Sequence, residues 1–362
     1  MKITSYHTYH SSGIGGVETL IRSLKELVEK NGGNFNEVYH STMVGSYFDS
    51  IHGMDTKLIG GGLGSNFLGR LIRKITIYFY FLFEPMDEKI LILTHPYNLN
   101  FLPSKVKRTA RIVLIQINRP DVFLNEKNLS AVKRNENYID AITSYTTKDR
   151  ESLCKILSSE ILSSKVIVIP RGCKLETGGI REFTGNKKLV TIARVEEKQK
   201  NFQAMLDIVD KLPNDYTLDI YGEGDKNEVK LLKKRISTQS RINFMGPATD
   251  IKKILSKYDV FIMTSHYEGF GQTLIEARSQ GMPLVLFNSF DAAPWIIKDN
   301  KNGYLVKYGD VQMFCNAIKL LCENKDVYSR MSQFAIYFSK ETEMDVVNRE
   351  WIELLEHLGG KI

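Results

Sequence analysis

The feature that most constrains this chain is an alternation that runs its length twice. Short runs rich in β-branched and aliphatic residues are separated by longer segments with helical periodicity, the pattern of parallel α/β construction. In the first half the expected strands are Ile3–Tyr6, Asn36–Tyr39, Ile90–Thr94, Ile112–Gln116, Ala141–Thr143 and Val166–Ile169. Expected helices between them include Val17–Lys30 and Lys148–Leu157. Pro170-Arg171-Gly172 closes the last of these strands, and Thr177-Gly178-Gly179 has the composition of a loop. The pattern then restarts. Leu189–Ala193, Thr217–Tyr221, Ile242–Phe244, Val260–Met263, Leu284–Phe287 and Tyr304–Val306 are expected strands, and Phe202–Leu212, Ile251–Lys257, Thr273–Gln280 and Val311–Asn324 expected helices. This predicts an α/β fold of two Rossmann-like domains, 1–172 and 173–343, facing across a cleft. Open parallel sheets bind ligands beyond the carboxyl ends of their strands. A final amphipathic helix, Met344–Leu358, carries Val346, Val347, Trp351, Leu354, Leu355 and Leu358 and needs a partner surface; segment 344–362 is expected to pack back on the first domain.

Composition narrows the classes. At 362 residues, 43% hydrophobic and 25% charged, the chain is globular and long enough for two cores. A net charge of +7 favours anionic partners such as phosphorylated substrates, acidic lipid surfaces or nucleic acid. No nucleic-acid-binding motif accompanies it, so nucleic acid is not expected. The four cysteines (Cys154, Cys173, Cys315, Cys322) form no CxxC pair and have no histidine cluster beside them, which argues against a disulfide framework or a zinc site. Cys315 and Cys322 fall on one amphipathic helix and are expected in the core. No secretory leader is expected, since Met1 to Thr8 runs straight into the first strand. No stretch reaches the roughly 18 apolar residues needed to span a bilayer. A cytoplasmic protein follows as the expectation.

The most informative segment runs from Ser265 to Pro283: Ser-His-Tyr-Glu268-Gly269-Phe270-Gly271-Gln272-Thr273-Leu-Ile-Glu276-Ala-Arg-Ser-Gln-Gly281-Met-Pro283. A strand precedes it and a glycine-containing loop leads into a helix expected to begin near Thr273. The free amides at a helix N-terminus suit a diphosphate. Gly269 and Gly271 let the loop approach a ligand closely. Glu268 on the loop and Glu276 about one turn into the helix place two carboxylates where each can accept from a pair of hydroxyls on one ligand. A loop charge and a favourable first-turn acid would be the ordinary reading of such glutamates, but the preceding strand, the glycines and the restart at Gly281-Met-Pro283 speak for a site.

The segment resembles the retaining glycosyltransferases of family 4, which have the GT-B fold and the signature E-G-F-G-x-x-x-x-E-A followed by G-x-P. The match falls on Glu268, Gly269, Phe270, Gly271, Glu276, Ala277, Gly281 and Pro283. Further landmarks recur in order: Gly15-Gly16-Val17-Glu18 after the first strand, Val168-Ile-Pro170-Arg-Gly172 between the halves, Ile192-Ala-Arg194 with Lys198 and Lys200, Tyr221-Gly222-Glu223-Gly224, Phe244-Met-Gly246, and Asn302-Gly303-Tyr304-Leu305-Val306. The resemblance implies that Glu268 contacts the donor sugar and Glu276 the ribose of a nucleoside-diphosphate sugar, most commonly a UDP-sugar.

Arg194 and Lys200 are the cations expected to stabilise the leaving diphosphate, since fixed positive groups where charge develops contribute most to such a reaction. The spacing is one residue longer than the commonest family form, so Lys198 is the alternative to Lys200. Gly15 and Gly16 are expected near the diphosphate or the acceptor, with Gln272 and Thr273 on the donor side. His95, in Thr94-His95-Pro96, is expected at a strand end near the sugar. Gln116 and Asn118 stand where many relatives have histidine and aspartate, and Arg171 replaces the usual asparagine of the inter-domain motif, which leaves the acceptor side open. No Asp-x-Asp triplet occurs, so no metal and no cofactor are expected. Gly69-Arg70 to Phe83 combines cations with bulky apolar residues and is expected to meet an anionic inner-membrane surface, where a lipopolysaccharide or lipid-linked oligosaccharide would be the acceptor. A sugar-nucleotide 2-epimerase and a non-catalytic sugar-nucleotide-binding subunit are the rival readings.

Overall fold

The computed structural model describes residues 1–13, 15–41, 55–61 and 66–359. They form two units, Met1–Pro170 with Asn348–Ile362, and Arg171–Val347. The last three residues of the expected 344–362 segment lie outside the described residues.

Unit 1 holds a parallel sheet of seven strands: β1 (Lys2–Tyr6), β2 (Asn34–Tyr39), β3 (Thr56–Lys57), β4 (Ile90–Leu93), β5 (Arg111–Ile115), β6 (Ile139–Ser144) and β7 (Val166–Val168), in the order β3-β2-β1-β4-β5-β6-β7. Unit 2 holds six: β8 (Lys188–Ile192), β9 (Thr217–Tyr221), β10 (Ile242–Gly246), β11 (Val260–Met263), β12 (Leu284–Asn288) and β13 (Gly303–Lys307), in the order β10-β9-β8-β11-β12-β13. Each unit is thus a Rossmann-like α/β layer structure. The central strands are continuous apolar runs, Ile-Leu-Ile-Leu in β4 and Val-Phe-Ile-Met in β11, because helices cover both faces of a parallel sheet.

The strand order reverses between β1 and β4 in unit 1 and between β8 and β11 in unit 2. At such a point the helices leaving the two strands go to opposite faces, and a crevice opens at the carboxyl ends. Register fixes which residues meet there: Ile3 to Tyr6 lie beside Ile90 to Leu93, and Leu189 and Val190 beside Val260 and Phe261.

Three departures from the sequence pattern are informative. Strand β3, of two residues, is too short to carry a period. The Lys226–Ile236 helix was not singled out because lysines and an arginine fill it; its core stripe is only Val229, Leu232 and Ile236. The Lys325–Ser339 helix buries Tyr328, Met331, Ser332, Ala335 and Ser339, a face whose small polar residues hide the period. Cys315 and Cys322 lie in the unit 2 core, and all four cysteines are free thiols. In the Met344–His357 helix, Val347, Trp351, Leu354 and Leu355 are buried.

Candidate active site

The carboxyl end of β8 and the carboxyl end of β11 bring two loops together at the switch point of unit 2. After β8 come Arg194 and a single helical turn, Glu197–Lys200. After β11 comes the loop carrying Glu268. Lys200 Nζ lies 2.6 Å from Glu268 Oε1, and both side chains are nearly buried. Ser265 Oγ donates to the same oxygen at 2.6 Å, and Gln199 Nε2 reaches Oε2 at 3.4 Å. The backbone is cross-braced as well. His266 N–H donates to Gln199 C=O at 2.8 Å, and Thr264 Oγ1 donates to Asn201 C=O at 2.9 Å. Glu268 is therefore a fixed group with an ammonium against it. Lys200, rather than Lys198, is the lysine that reaches it; Lys198 is exposed.

Arg194 points outward. Its guanidinium donates to Gln199 Oε1 at 2.8 Å and pairs with Glu196 at 2.8 Å, and the side chain remains 65% exposed. Behind it, the Tyr221-Gly222-Glu223-Gly224 turn backs directly onto the loop. A Cβ on Gly222 would stand 1.9 Å from Ala193 O, and one on Gly224 2.2 Å from Val195 O. These glycines are there because carbonyls occupy the space of a side chain.

The helix after the Glu268 loop runs Gln272–Ser279, one residue earlier than expected. Its N-cap is Gly271, in the left-handed region at φ 99°, where a Cβ would also meet Leu274 at 2.8 Å. That leaves the first amides of the helix open beside Phe270 and Gln272. Phe270 is buried against Trp295, with ring centres 5.8 Å apart. Glu276 sits one turn in. Its Oε2 is buried with no hydrogen-bond partner, as is Gln272 Oε1. Burial pushes the Glu276 carboxyl up to about 7, against a hydrogen bond from Gln272 and the nearby charge of Arg171. Gln272 Nε2 donates to Gly172 C=O at 3.0 Å. Two acceptor oxygens thus wait without donors beside a helix N-terminus, an arrangement suited to a ligand bearing hydroxyls next to an anion. Gly269 and Thr273 are half-buried on either side.

Sequence reasoning did not find Gln199, Ser265 or Arg278. Arg278 is wholly buried; it donates to Ile296 C=O at 3.2 Å and to Thr342 Oγ1 at 3.1 Å, and its guanidinium lies 5.3 Å from the Trp295 ring centre. It ties the site helix to the segment that carries Trp295. Nothing in sequence spacing marks an arginine as buried.

In unit 1, Gly15 caps the Gly16–Lys30 helix, and a Cβ there would stand 2.1 Å from Glu18 Oε2. The Glu18 carboxylate thus folds back over the helix N-terminus. His95, expected at a strand end, lies two residues past the end of β4 and just before a Pro96–Phe101 turn of 3-10 helix, where desolvation of its ring by the surrounding protein holds its pKa below the ordinary histidine value. Gln116 turns inward, donating to Asn118 C=O at 2.8 Å and Asp149 at 3.2 Å, while Asn118 Oδ1 accepts from Arg119 N–H.

A buried cluster beside the carboxyl ends of β1 and β2 in unit 1 was also not anticipated. Glu37 accepts from Ser11 Oγ at 2.6 Å, lies 3.1 Å from His7 Nε2 and 3.7 Å from His10 Nε2, and Asp55 accepts from His10 Nε2 at 2.9 Å and Lys25 Nζ at 2.7 Å. His10, Glu37 and Asp55 have metal-ligand spacing. The hydrogen bonding speaks for a different role. Ser12 N–H donates to His10 Nδ1 at 3.1 Å, so the ring proton is on Nε2, the atom that faces both carboxylates. Burial alone would raise the Glu37 carboxyl; His7, Ser11 and His10 more than reverse this and hold it below its ordinary value. Glu37→Gln is accordingly expected to destabilise the fold by about 2 kcal/mol at pH 7. The stabilisation by Glu37 is present above the ordinary glutamate pKa and is lost as pH falls through the depressed folded value. Urea unfolding of both proteins at pH 7 and in acid checks this; the difference should shrink in acid, and an unchanged difference would count against it.

Comparison with known proteins bears on the fold and on the second unit. Residues 176–337 match the family model of glycosyl transferases group 1. The second unit therefore carries a group 1 glycosyl transferase domain, and the chain has the two parallel-sheet halves of GT-B proteins. Among individual relatives, the lipopolysaccharide core biosynthesis glycosyltransferase LpsE of Rhizobium meliloti is 25% identical over 260 residues, 64% of this chain and 73% of that protein. The UDP-Gal:alpha-D-GlcNAc-diphosphoundecaprenol alpha-1,3-galactosyltransferase of Escherichia coli is 27% identical over 179 residues, 44% of this chain and 46% of that one. In fold, the chain is similar to Anabaena HepE, solved with UDP and glucose, with a TM-score of 0.76 at 17% identity over 98% of this chain and 99% of that one. It is also similar to the pneumococcal O-GlcNAc transferase GtfA, with a TM-score of 0.66 at 19% identity, covering 80% of this chain but 61% of that longer one.

Proposed function

We propose that this chain is a retaining, metal-independent glycosyltransferase that moves a sugar from a nucleoside-diphosphate sugar, with UDP as the nucleotide, to a bacterial surface-glycan acceptor such as lipopolysaccharide or a lipid-linked oligosaccharide. The observation that carries this reading is the buried Lys200–Glu268 pair at the switch point of unit 2, with the unpartnered oxygens of Gln272 and Glu276 on the next helix. In this reading Glu276 takes the ribose hydroxyls. The amides after Gly271 and the cations of Arg194 and Lys200 take the diphosphate, and Glu268 takes hydroxyls of the donor sugar. Unit 1 serves the acceptor, with Gly15 and Gly16 bringing backbone amides near the diphosphate or the acceptor and His95 near the transferred sugar.

The chemistry breaks the bond between the anomeric carbon and the diphosphate oxygen and forms one from that carbon to the acceptor oxygen. The acceptor proton passes to the departing phosphate oxygen, so no side-chain nucleophile is required and positioning dominates. Negative charge grows on the diphosphate as the bond breaks. Lys200 and Arg194 stabilise that charge more than they stabilise the bound donor, which is the condition for catalysis. The names of the relatives, a lipopolysaccharide core enzyme and a UDP-galactose-dependent enzyme acting on a diphosphoundecaprenol lipid, support the donor and acceptor classes.

A thermal-shift screen against UDP-, GDP- and ADP-sugars tests the donor. A ligand that binds only the folded state at about 100 times its Kd adds about 2.7 kcal/mol of stability. Stabilisation by UDP-sugars alone is the expected result. Preference for another nucleotide would replace UDP in the proposal, and no response from folded protein would remove the donor altogether.

A further inference from the structure

The opening segment of unit 2, Arg171-Gly172-Cys173, is built against the helix that carries Glu276. Gln272, Glu276 and Ser279 stand at i, i+4 and i+7 and so share one face of the Gln272–Ser279 helix. That face is bonded to the segment at both ends. Gln272 Nε2 donates to Gly172 C=O at 3.0 Å, and Cys173 Sγ donates to Ser279 Oγ at 3.4 Å. Glu276 lies between these two bonds and therefore faces the segment.

The segment is fixed where it lies. Cys173 N–H donates to Thr342 C=O at 2.7 Å, and a Cβ on Gly172 would collide with Met344 Sδ. Just beyond it, Gly178 N–H donates to Ser279 C=O at 2.8 Å and Gln280 Nε2 to Glu176 C=O at 2.9 Å. Arg171 is only 8% exposed, an uncommon state for arginine. A buried charge needs an opposite one near it, and the charge of Arg171 acts on Glu276.

The other ionisable groups around this face have other surroundings. Burial pushes the Cys173 thiol up, which keeps it neutral. Glu343, bridged to Cys173 through the backbone, accepts from Thr177 Oγ1 at 3.2 Å. Arg278 lies 3.7 Å from Glu341. Lys174 and Glu176 are exposed, as are Lys325, Asp326 and Arg330 on the Lys325–Ser339 helix that packs against the site helix, and β12 carries no charge. A carboxyl group enclosed by protein without a counter-charge takes up a proton, and one of its oxygens then becomes a donor. A fixed guanidinium opposes this and leaves both oxygens as acceptors, which is what a pair of vicinal hydroxyls requires.

We infer that Arg171 is a positioning residue of the donor site, a guanidinium clamped beside Glu276 so that both carboxylate oxygens stay available to the ribose hydroxyls of a nucleotide. The arginine that replaces the asparagine of the inter-domain motif then serves the donor. This rests on the reading of Glu276 as the group that takes the ribose.

Calorimetric titration of the full chain with UDP at pH 6, 7.5 and 9 tests this, beside Arg171→Gln and Arg171→Lys. Removing the cation should move the protonation of Glu276 upward by about one pH unit. Arg171→Gln should then bind UDP on the order of tenfold more weakly than wild type at pH 6 and nearly as well at pH 9. Arg171→Lys, which keeps the charge, should follow wild type at each pH. Without ligand, Arg171→Gln should lower the urea midpoint more at pH 9 than at pH 5, and this pH dependence should vanish in the Glu276→Gln background. A loss of UDP affinity of one size at every pH, unchanged affinity at pH 6, or a folded Arg171→Lys protein that no longer binds would overturn the inference while leaving the donor reading in place. A folded wild type that binds no nucleotide would overturn both.

Discussion

Lys200→Ala is expected to lower sugar transfer by roughly 10²- to 10³-fold at saturating donor, the loss that follows removal of one preorganised group from a developing anion. It is also expected to destabilise the protein. The Lys200 ammonium and Glu268 carboxylate are 12% and 8% exposed at 2.6 Å separation, and breaking a buried pair leaves an uncompensated charge. Because Ser265 and Gln199 still donate to Glu268, the cost should lie near the lower end of the usual range, roughly 3 kcal/mol. The two effects can be separated. Lys200→Met combined with Glu268→Gln removes both charges, and should recover most of the stability while recovering none of the turnover. Urea unfolding and a donor-saturated rate on each protein, normalised to folded fraction, make the comparison. A Lys200→Ala protein that is unstable yet turns over within a few-fold of wild type would make the pair structural only.

The second large effect has opposite signs in stability and binding. Glu276 is pushed by burial from its ordinary 4.5 up to about 7. Between these values the folded chain holds a proton that the unfolded chain has released. The contribution of Glu276 to stability is therefore fully present below about pH 4.5 and declines as pH rises through about 7, above which the folded state carries a buried, poorly solvated charge. Glu276→Gln has no charge to bury. It should be more stable than wild type by roughly 1–3 kcal/mol at pH 8, the upper bound being set by 1.36 kcal/mol per pKa unit, and no more stable at pH 4. Nucleotide affinity should move the other way. A neutral amide is a weaker acceptor for two hydroxyls than a carboxylate, and about 1.5–3 kcal/mol for bonds to a charged group corresponds to a loss of roughly ten- to a hundredfold. For wild type, affinity should weaken as pH drops below 7, because ribose binding competes with the proton. Titration calorimetry with UDP at pH 6 and 8, beside unfolding of both proteins, checks all of this. A Gln variant that is less stable at pH 8, or that binds UDP as wild type does, would dissociate Glu276 from the ribose.

Such a residue, stabilised by losing its charge yet retaining it, marks where local rules give way to function. Strands β4 and β11 were readable in the sequence because both their faces are buried and so every residue is apolar. The loop from Glu268 to Gly271 was readable because a left-handed N-cap admits little but glycine. The partners of Glu268 were not. Gln199 lies 69 residues away and Ser265 three, and neither type nor spacing distinguishes them from ordinary polar residues; only the adjacency of β8 and β11 brings them together. The same holds for Glu37, whose histidines and serine come from the loop after β1, and for Arg278, whose burial contradicts the usual fate of arginine. The Phe67–Phe83 helix shows the converse. Its apolar period was visible, but which face would be buried was not, because both sides carry large apolar residues and only the packing of Ile77 and Phe81 decides.

The most direct test of the central claim is to follow the purified protein with an α-configured UDP-sugar and excess chelator by proton NMR, in the absence of acceptor. Slow cleavage that the chelator does not suppress is expected, abolished in Lys200→Ala, with the α-anomer of the free sugar appearing first and only later equilibrating. First appearance of the β-anomer, loss of cleavage on chelation, or cleavage unaffected by Lys200→Ala would contradict it.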